Sequence, residues 1–266
     1  MKDKFLLGQY YQGESFMHSL DPRSKILLTV LYMVTLFIGD SAIFYALMIG
    51  AFLLTVKLSC IPLKVILAGM KIIIILMIFT VIANFFFTEG TVLWQAGFVR
   101  ITKEGIIRGF IMGLRLLLLV GFASILTLTT KPIALTDGLE ALGSPLKKIK
   151  FPVHEIAMMM SIALRFIPTI LEELERIMDA QRARGANFSE GRLMDKAKAL
   201  VPLLVPLFVS AFRRADELAQ AMEAKCYDGS GNRTNWKPLQ WKKQDTLILS
   251  VFLILFILPI AFNKVF

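Results

Sequence analysis

Two short stretches of the sequence carry the residues best suited to binding a partner, and they lie 41 residues apart. The first reads DAQRARG at 179–185, and the second reads QAMEAKC at 220–226. Each ends in Ala-x-x-Ala followed by a basic residue. Alignment of the two stretches matches three pairs of similar residues: Ala180 with Ala221, Ala183 with Ala224, and Arg184 with Lys225.

A basic residue followed by glycine is typical of a helix end. Arg184 in a last turn meets the negative end of the helix dipole, a gain of ~0.3–1 kcal/mol, and Gly185 suits the left-handed position that follows. Such capping explains one occurrence. Because a second long helix ends alike, we expect Arg184 and Lys225 to form two cationic prongs that bind acidic or carbonyl-lined sockets on partner proteins.

No residue pattern in the sequence predicts catalysis, a metal site or a cofactor. The chain has no G-x-x-x-x-G-K-[ST] loop, so it cannot be read as its own P-loop nucleotide hydrolase. His18 and His154 are far apart and lack a nearby ligand set. Cys60 and Cys226 have no metal-binding spacing. We therefore expect a protein that is not an enzyme.

The composition indicates an integral membrane protein. Hydrophobic residues make up 56% of the 266 residues, and the mean hydropathy is +0.66, above the usual range of soluble domains. The net charge of +10 fits an anionic membrane surface or an acidic protein partner, and the apolarity argues against nucleic acid. The lipid bilayer is therefore the expected environment.

Five apolar segments predict about five transmembrane helices. The first begins after Asp21 as the N-cap, with Pro22 in the first turn. Arg115 lies six residues after Gly109, where the fourth segment begins, so its side chain either snorkels to the membrane surface, which this position favours, or faces protein. The predicted regions are a membrane region at 1–130 with spans at about 22–38, 42–56, 65–87 and 109–130, a coupling region at 131–246, and a C-terminal span at 247–266.

Basic residues near the ends of the spans predict the orientation, because cytoplasmic loops are enriched in them. These residues precede the first span, lie in its first turn, or lie between the second and third spans: Lys2, Lys4, Arg23, Lys25, Lys57 and Lys64. The N-terminus and the coupling region are therefore expected in the cytoplasm of a multi-pass plasma-membrane protein. Basic residues in the loop at 88–108 weaken the assignment of that loop to the outside.

The coupling region contains two predicted amphipathic helices. They are EIAMMMSIALRFIPTILEELERIM at 155–178 and KALVPLLVPLFVSAFRRADELAQAM at 198–222, each with apolar residues at helical spacing. When the two are aligned, Glu172 and Glu173 of the first fall opposite Arg213 and Arg214 of the second. Ion pairs between crossing helices are therefore expected.

Four stretches together resemble the transmembrane T subunit of energy-coupling factor (ECF) transporters. They are the ARG and AKC triplets, HSLDPRSK at 18–25, and SPLKKIKFPVHEIAMMMSIALRFIPTILEELERIMDAQRARGANF at 144–188. The resemblance implies a non-catalytic subunit that couples two ATPase subunits to a membrane-embedded, substrate-binding S subunit. The transported substrate would be a micronutrient, a vitamin or a metal, which the sequence leaves open.

The resemblance also assigns roles to residues. Two Ala-Arg-Gly motifs of the family dock on the ATPases, and the first corresponds to Ala183, Arg184 and Gly185. The second departs from this pattern, because Lys225 lacks the planar fork of arginine and Cys226 suits a left-handed turn less well than glycine. A further set of apolar residues is expected to contact the S subunit: Met158, Met159, Met160, Leu204, Leu207 and Ala211.

The alternative function is a self-sufficient secondary transporter or channel. Such a protein should show inverted repeats, broken helices and paired charges within the membrane. The sequence offers little of these features, which favours the coupling subunit.

Overall fold

The structure is a computed structural model that describes residues 10–39, 41–88, 90–96, 99–186, 193–227 and 238–263. The chain divides into two compact units, one of Met1–Ser144 with Leu239–Phe266 and one of Pro145–Pro238. The described helices are α1 (Phe16–Ser19), α2 (Pro22–Ile38), α3 (Ala42–Ser59), α4 (Leu63–Gly69), α5 (Lys71–Phe87), α6 (Lys103–Thr129), α7 (Pro132–Gly143), a 3₁₀ helix (Ser144–Ile149), α8 (Val153–Ala183), α9 (Leu193–Ala224) and α10 (Lys243–Asn263).

The prediction of an all-α membrane protein is confirmed, with one small addition. Strands β1 (Val92–Ala96) and β2 (Val99–Thr102) form an antiparallel hairpin between α5 and α6. By length and composition, α3, α6 and α8 can each cross a membrane, and α4 with α5 makes a fourth span if the bent pair is counted as one. This count among the described residues is lower than the predicted five.

The predicted start of the first span is confirmed. The Asp21 side chain accepts a hydrogen bond of 2.9 Å from the backbone N–H of Arg23, and Pro22 occupies the first helical position. Burial of Asp21 disfavours its charged form. The hydrogen bonds and positive charge of Arg23 outweigh this effect and hold the pKa of Asp21 below its usual value.

The predicted third span at 65–87 is broken in the structure. Helices α4 and α5 meet at Met70 with a bend of 69°. The N–H of Met70 bonds the carbonyls of both Ile66 and Leu67, which closes α4 as a tight last turn. The apolar run is continuous through this point, and hydropathy reports the length of a segment but not its direction.

Helix α6 begins six residues before the predicted start at 109. The hydroxyl of Thr102 caps it by accepting a hydrogen bond of 3.1 Å from the N–H of Gly105. Gly105 also lets α5 approach closely, because a Cβ there would lie 2.9 Å from the carbonyl oxygen of Asn84. The cap and this close packing extend the helix into a stretch whose charges indicated a loop.

The earlier start of α6 changes the position of Arg115. It lies well inside the helix, and its Nη2 and Nε donate to the hydroxyl of Tyr45 at 2.7 and 3.2 Å. Its guanidinium also lies 5.9 Å from the ring centroid of Phe37. Of the two alternatives for Arg115, the structure therefore shows the less favoured one, in which the side chain faces protein, against α2 and α3.

The core of the first unit is apolar and is formed by α2, α3, α6 and α10. Tyr32 is fully buried, stacks on Phe122 with a centroid distance of 4.1 Å, and donates its hydroxyl to the carbonyl of Met48 at 3.1 Å. Helix α7 packs against α2 in the same unit.

A buried polar cluster joins α10 to the start of α2. Asp245 is completely buried, and its Oδ1 accepts hydrogen bonds of 2.8 Å from the N–H of Asp21 and from the hydroxyl of Ser24. Its Oδ2 accepts from the N–H of Lys242 at 2.8 Å. One carboxylate therefore satisfies donors at the N-termini of two helices.

Candidate docking site at two helix ends

The two long helices of the second unit, α8 and α9, are the predicted coupling helices. Their burial is sparse: Val153 and Ala157 of α8 and Leu203 and Ser210 of α9 are buried. The first half of α8, at 153–171, contains only two charged residues, and its second half is highly charged. This asymmetry explains why length and composition admit α8 as a span although its C-terminal half is polar.

An ion pair joins the two helices. The Nη2 atom of Arg214 lies 2.7 Å from Oε2 of Glu173, and their side chains are 30% and 24% exposed. The predicted pairing of charges across the helices is confirmed for these two residues. Glu172 is exposed, and Arg213 instead lies 3.9 Å from Glu217 on its own helix.

The end of α8 is a Schellman motif. The N–H of Gly185 bonds the carbonyl of Arg182 at 2.9 Å, and the N–H of Ala186 bonds the carbonyl of Gln181 at 3.0 Å. Gly185 has a φ of +89°, so the predicted left-handed glycine is confirmed. Arg184 is the last residue before the reversal of the chain.

The end of α9 has the same backbone geometry. The N–H of Cys226 bonds the carbonyl of Glu223 at 2.8 Å, and the N–H of Tyr227 bonds the carbonyl of Met222 at 3.0 Å. Cys226 has a φ of +55°, although a side chain in this conformation costs roughly 1–2 kcal/mol. The turn that glycine makes at the first end is therefore also made by cysteine at the second.

Both ends present a cation to solvent. Arg184 and Lys225 are exposed, and in the part of the chain that the structure describes no carboxylate lies within ion-pair distance of either. At the first end, Asp179 pairs with Arg182 at 3.0 Å and leaves Arg184 available. Both prongs can therefore bind an acidic or carbonyl-lined surface without first breaking an internal ion pair.

The described residues suit binding better than chemistry. Among them, no group of three or more His, Cys, Asp or Glu side chains is arranged to hold a metal ion. Both ring nitrogens of His18 make hydrogen bonds within the fold: Nδ1 lies 2.6 Å from the Ser15 hydroxyl, and Nε2 lies 3.0 Å from the Tyr11 carbonyl oxygen. Cys60 and Cys226 are both free thiols.

The predicted S-subunit contacts differ in their exposure. Met159 and Met160 of α8 are 58% and 42% exposed, and Leu204 of α9 is 50% exposed. Three others are partly buried: Met158, Leu207 and Ala211.

A more exposed apolar face of α9 was missed at the sequence level. It lies beside the stripe that contains Leu207 and Ala211, and its side chains are 56–69% exposed. The periodicity of VPLLVPLFVSAF contains it, at spacings of four, seven, eight and eleven residues from its first member. We call this set the α9 apolar face: Val201, Val205, Phe208, Val209 and Phe212.

Comparisons with known proteins agree on one family. The family model CbiQ, described as cobalt transport protein, matches residues 13–236. A protein of Acidaminococcus fermentans named energy-coupling factor transporter transmembrane protein EcfT is 50% identical over 252 residues, which cover 95% of this chain and 94% of that protein.

Two further relatives carry the same printed name. The protein of Ruminiclostridium cellulolyticum is 49% identical over 260 residues, which cover 98% of this chain and 97% of the relative. The protein of Bacillus subtilis strain 168 is 44% identical over 257 residues, which cover 96% and 97%. The similarity therefore extends over the membrane helices and over both helix ends.

Proposed function

Because this chain belongs to the family of ECF transporter transmembrane proteins, we propose that it is the non-catalytic subunit that couples two ATPase subunits to a substrate-binding S subunit. The complex would take up a micronutrient, a vitamin or a metal, with energy from ATP. In this proposal the S subunit selects the substrate, and the present chain transmits force. The protein is a membrane transport subunit, and its own contribution is mechanical.

One observation carries the proposal: α8 and α9 end in the same hydrogen-bonded turn, and each turn presents an exposed cation that has no carboxylate within ion-pair distance among the described residues. Two equivalent docking elements on one subunit suit a pair of ATPase subunits. Arg184 offers a planar fork that suits a carboxylate or a set of carbonyls, whereas Lys225 offers a single ammonium. We therefore assign Ala183, Arg184 and Gly185 to the stronger docking site and Ala224, Lys225 and Cys226 to the weaker one.

The apolar surfaces of the second unit support the S-subunit part of the proposal. Met159 and Met160 expose flexible thioether side chains, which adapt to partners of different shape. The α9 apolar face adds a contiguous set of large side chains that water solvates poorly. With Met158, Leu204, Leu207 and Ala211, these residues form the proposed contact with the S subunit.

The proposed location is the plasma membrane, with the N-terminus and the coupling region in the cytoplasm. The basic residues before α2 and in its first turn, and those at the end of α3 and the start of α4, support this orientation, because positive charges are retained on the cytoplasmic side. Docking to cytoplasmic ATPases requires the same placement of Arg184 and Lys225. Opening and closing of the ATPases would then move the two helix ends and the helices that carry them.

Purification in mild detergent tests the proposal. We expect two ATPase subunits and one S subunit to copurify with the tagged chain, and the S subunit alone to fail in ATP-driven uptake in proteoliposomes. A chain that purifies alone and transports a solute in liposomes would support the secondary transporter or channel instead. A variant with Arg165→Ala, which removes an exposed charge of α8 away from its end, is the matched control for the docking variants below.

A further inference from the structure

A charged cleft lies beside the ion pair that joins α8 and α9. It has a volume of about 410 Å³ and is open to solvent. Its polar lining comes from both helices, and we call it the crossing cleft. The residues that line it include five charged side chains and one alanine: Glu172, Glu173, Arg176, Ala180, Arg213 and Arg214.

Positive charge exceeds negative charge in the crossing cleft. Of its three arginines, only Arg214 makes a short ion pair within the cleft, to Glu173. Arg213 lies 3.9 Å from Glu217, and both side chains are at least 70% exposed, so this contact contributes little. Arg176 is exposed and has no carboxylate within ion-pair distance among the described residues. Two guanidinium groups of the cleft are therefore available to an anion.

The crossing cleft lies on nearly the same side of α8 as the first docking prong. Glu173 and Ala180 line the cleft, and Arg184 follows Glu173 by eleven residues, which places them on nearly the same side of α8 at 3.6 residues per turn. The axial distance is roughly 16 Å at 1.5 Å per residue. A single protein domain that sits on Arg184 can therefore reach the cleft.

The charges of the cleft favour a carboxylate over a phosphate. Guanidinium groups pair with carboxylates through two parallel hydrogen bonds. Glu172 and Glu173 also line the cleft and leave it with one net positive charge, which a singly charged carboxylate neutralises. The volume of the cleft accommodates a whole side chain that projects from a protein surface.

We propose that the crossing cleft binds an acidic side chain of the ATPase subunit that docks on Arg184, through Arg176 and Arg213. This site would be a second anchor for that ATPase and would add to the affinity of the prong. It rests on the proposed function, because it requires an ATPase at the end of α8. The lining of the cleft extends along α8 as far as Ala180, four residues before Arg184, whereas on α9 it ends at Arg214, eleven residues before Lys225, so the cleft favours the ATPase at the first docking site.

Binding of the ATPase subunits of the same transporter to this chain in nanodiscs tests the proposal. We expect the double variant Arg176→Ala with Arg213→Ala to raise Kd roughly tenfold or more, since one tenfold step corresponds to about 1.4 kcal/mol. Arg165→Ala removes the same kind of exposed charge from α8 outside the cleft, and we expect less than a twofold change. The affinity of the double variant should also depend less steeply on salt than that of the unmodified chain.

Two further variants keep the outcome interpretable. Both arginines are exposed, so substitution should preserve the fold, and an unchanged unfolding temperature would verify this. If the alanine variant fails to fold, the variant Arg176→Gln with Arg213→Gln is measured in its place, because glutamine retains most of each side-chain stem and removes the charge. A charge swap would identify the bound carboxylate. Arg213→Glu should weaken binding, and an ATPase in which the contacting Asp or Glu is replaced by Arg should restore it.

Comparison with Arg184→Ala separates the two proposals. Unchanged binding by the folded double variant, together with weakened binding by Arg184→Ala, would overturn the cleft and leave the proposed function intact. Unchanged binding by Arg184→Ala as well would overturn both.

Discussion

Glu173 and Arg214 are ion-paired at 2.7 Å and are separated by 41 residues, the same separation that relates Arg184 to Lys225. The contact between the helices and their two docking ends therefore follow one internal alignment of α8 with α9. On both helices the basic residue at the end follows the ion-paired residue by eleven positions: Arg184 follows Glu173, and Lys225 follows Arg214. The ion pair is thus positioned to set the spacing of the two prongs.

Neutralising one member of this pair should loosen the two helices. For Glu173→Gln we expect a lower unfolding temperature, by less than a buried ion pair would give, because both side chains are partly exposed. The double variant Glu173→Arg with Arg214→Glu should recover most of the loss. Thermal unfolding in detergent measures both effects, with Glu217→Gln as the exposed control. If Glu173→Gln and the swapped double variant lower the unfolding temperature equally, the ion pair itself does not stabilise the fold.

Asp245→Asn should destabilise the first unit. The buried carboxylate accepts hydrogen bonds from Asp21, Ser24 and Lys242, and an amide would turn its NH₂ group toward one of these donors. Leaving buried donors unsatisfied costs about 1–3 kcal/mol each. We expect a lower unfolding temperature in detergent, whereas Asp179→Asn, at an exposed position, should change it little. Equal unfolding temperatures for the two variants would contradict the proposed role of the cluster.

Local sequence predicted several features well because these features are set by a few neighbouring residues. Asp21 and Pro22 begin α2 because their backbone preferences and capping chemistry operate within one turn. Gly185 ends α8 for the same kind of reason. The pairing of Glu173 with Arg214 was also predictable, because an internal repeat carries information about distant positions.

Other features depended on packing that no local pattern records. The bend between α4 and α5 lies within a continuous apolar run, and the β-hairpin lies in a stretch that hydropathy assigned to a loop. The environment of Arg115 depends on Tyr45, which is 70 residues away. On α9 the helical periodicity was correct, but it fitted both the stripe with Leu207 and Ala211 and the α9 apolar face beside it. Only the structure shows that the α9 apolar face is the more exposed of the two.

Cys226→Gly should stabilise the second helix end. The left-handed φ of +55° at Cys226 costs a side chain roughly 1–2 kcal/mol, whereas glycine adopts it freely. Cys226→Ser retains a side chain at this position and should leave stability nearly unchanged. Thermal unfolding and the affinity for the ATPases measure the effect, and we expect both to increase for Cys226→Gly alone. If Cys226→Gly and Cys226→Ser lower the unfolding temperature equally, then the thiol, and not the backbone conformation, determines the stability of this helix end.

The orientation can be tested with the native thiol of Cys226. This residue is exposed, and we expect it to react with a membrane-impermeant maleimide in inside-out vesicles stripped of the ATPase subunits but not in intact cells. Cys60→Ser removes the other thiol and leaves a single reporter. Strong labelling of Cys226 in intact cells would place the end of α9 outside and reject the proposed topology.

The docking ends themselves provide the most direct test of function, because capping and docking differ in magnitude. A cap contributes ~0.3–1 kcal/mol to its helix, whereas truncation of a hydrogen-bonded charge at an interface costs about 2–5 kcal/mol of binding. We expect Arg184→Ala to leave the protein folded and to weaken ATPase copurification severely, with a smaller loss for Lys225→Ala.

The double variant of Arg184 and Lys225 should abolish ATP-driven uptake in proteoliposomes. Arg184→Glu alone should weaken assembly more than Arg184→Ala, because it places a negative charge against an acidic socket. Expression matched to the unmodified chain and an unchanged unfolding temperature control for folding. If the double variant retains normal copurification and uptake, Arg184 and Lys225 only cap their helices, because a loss confined to capping is too small to disrupt the assembly.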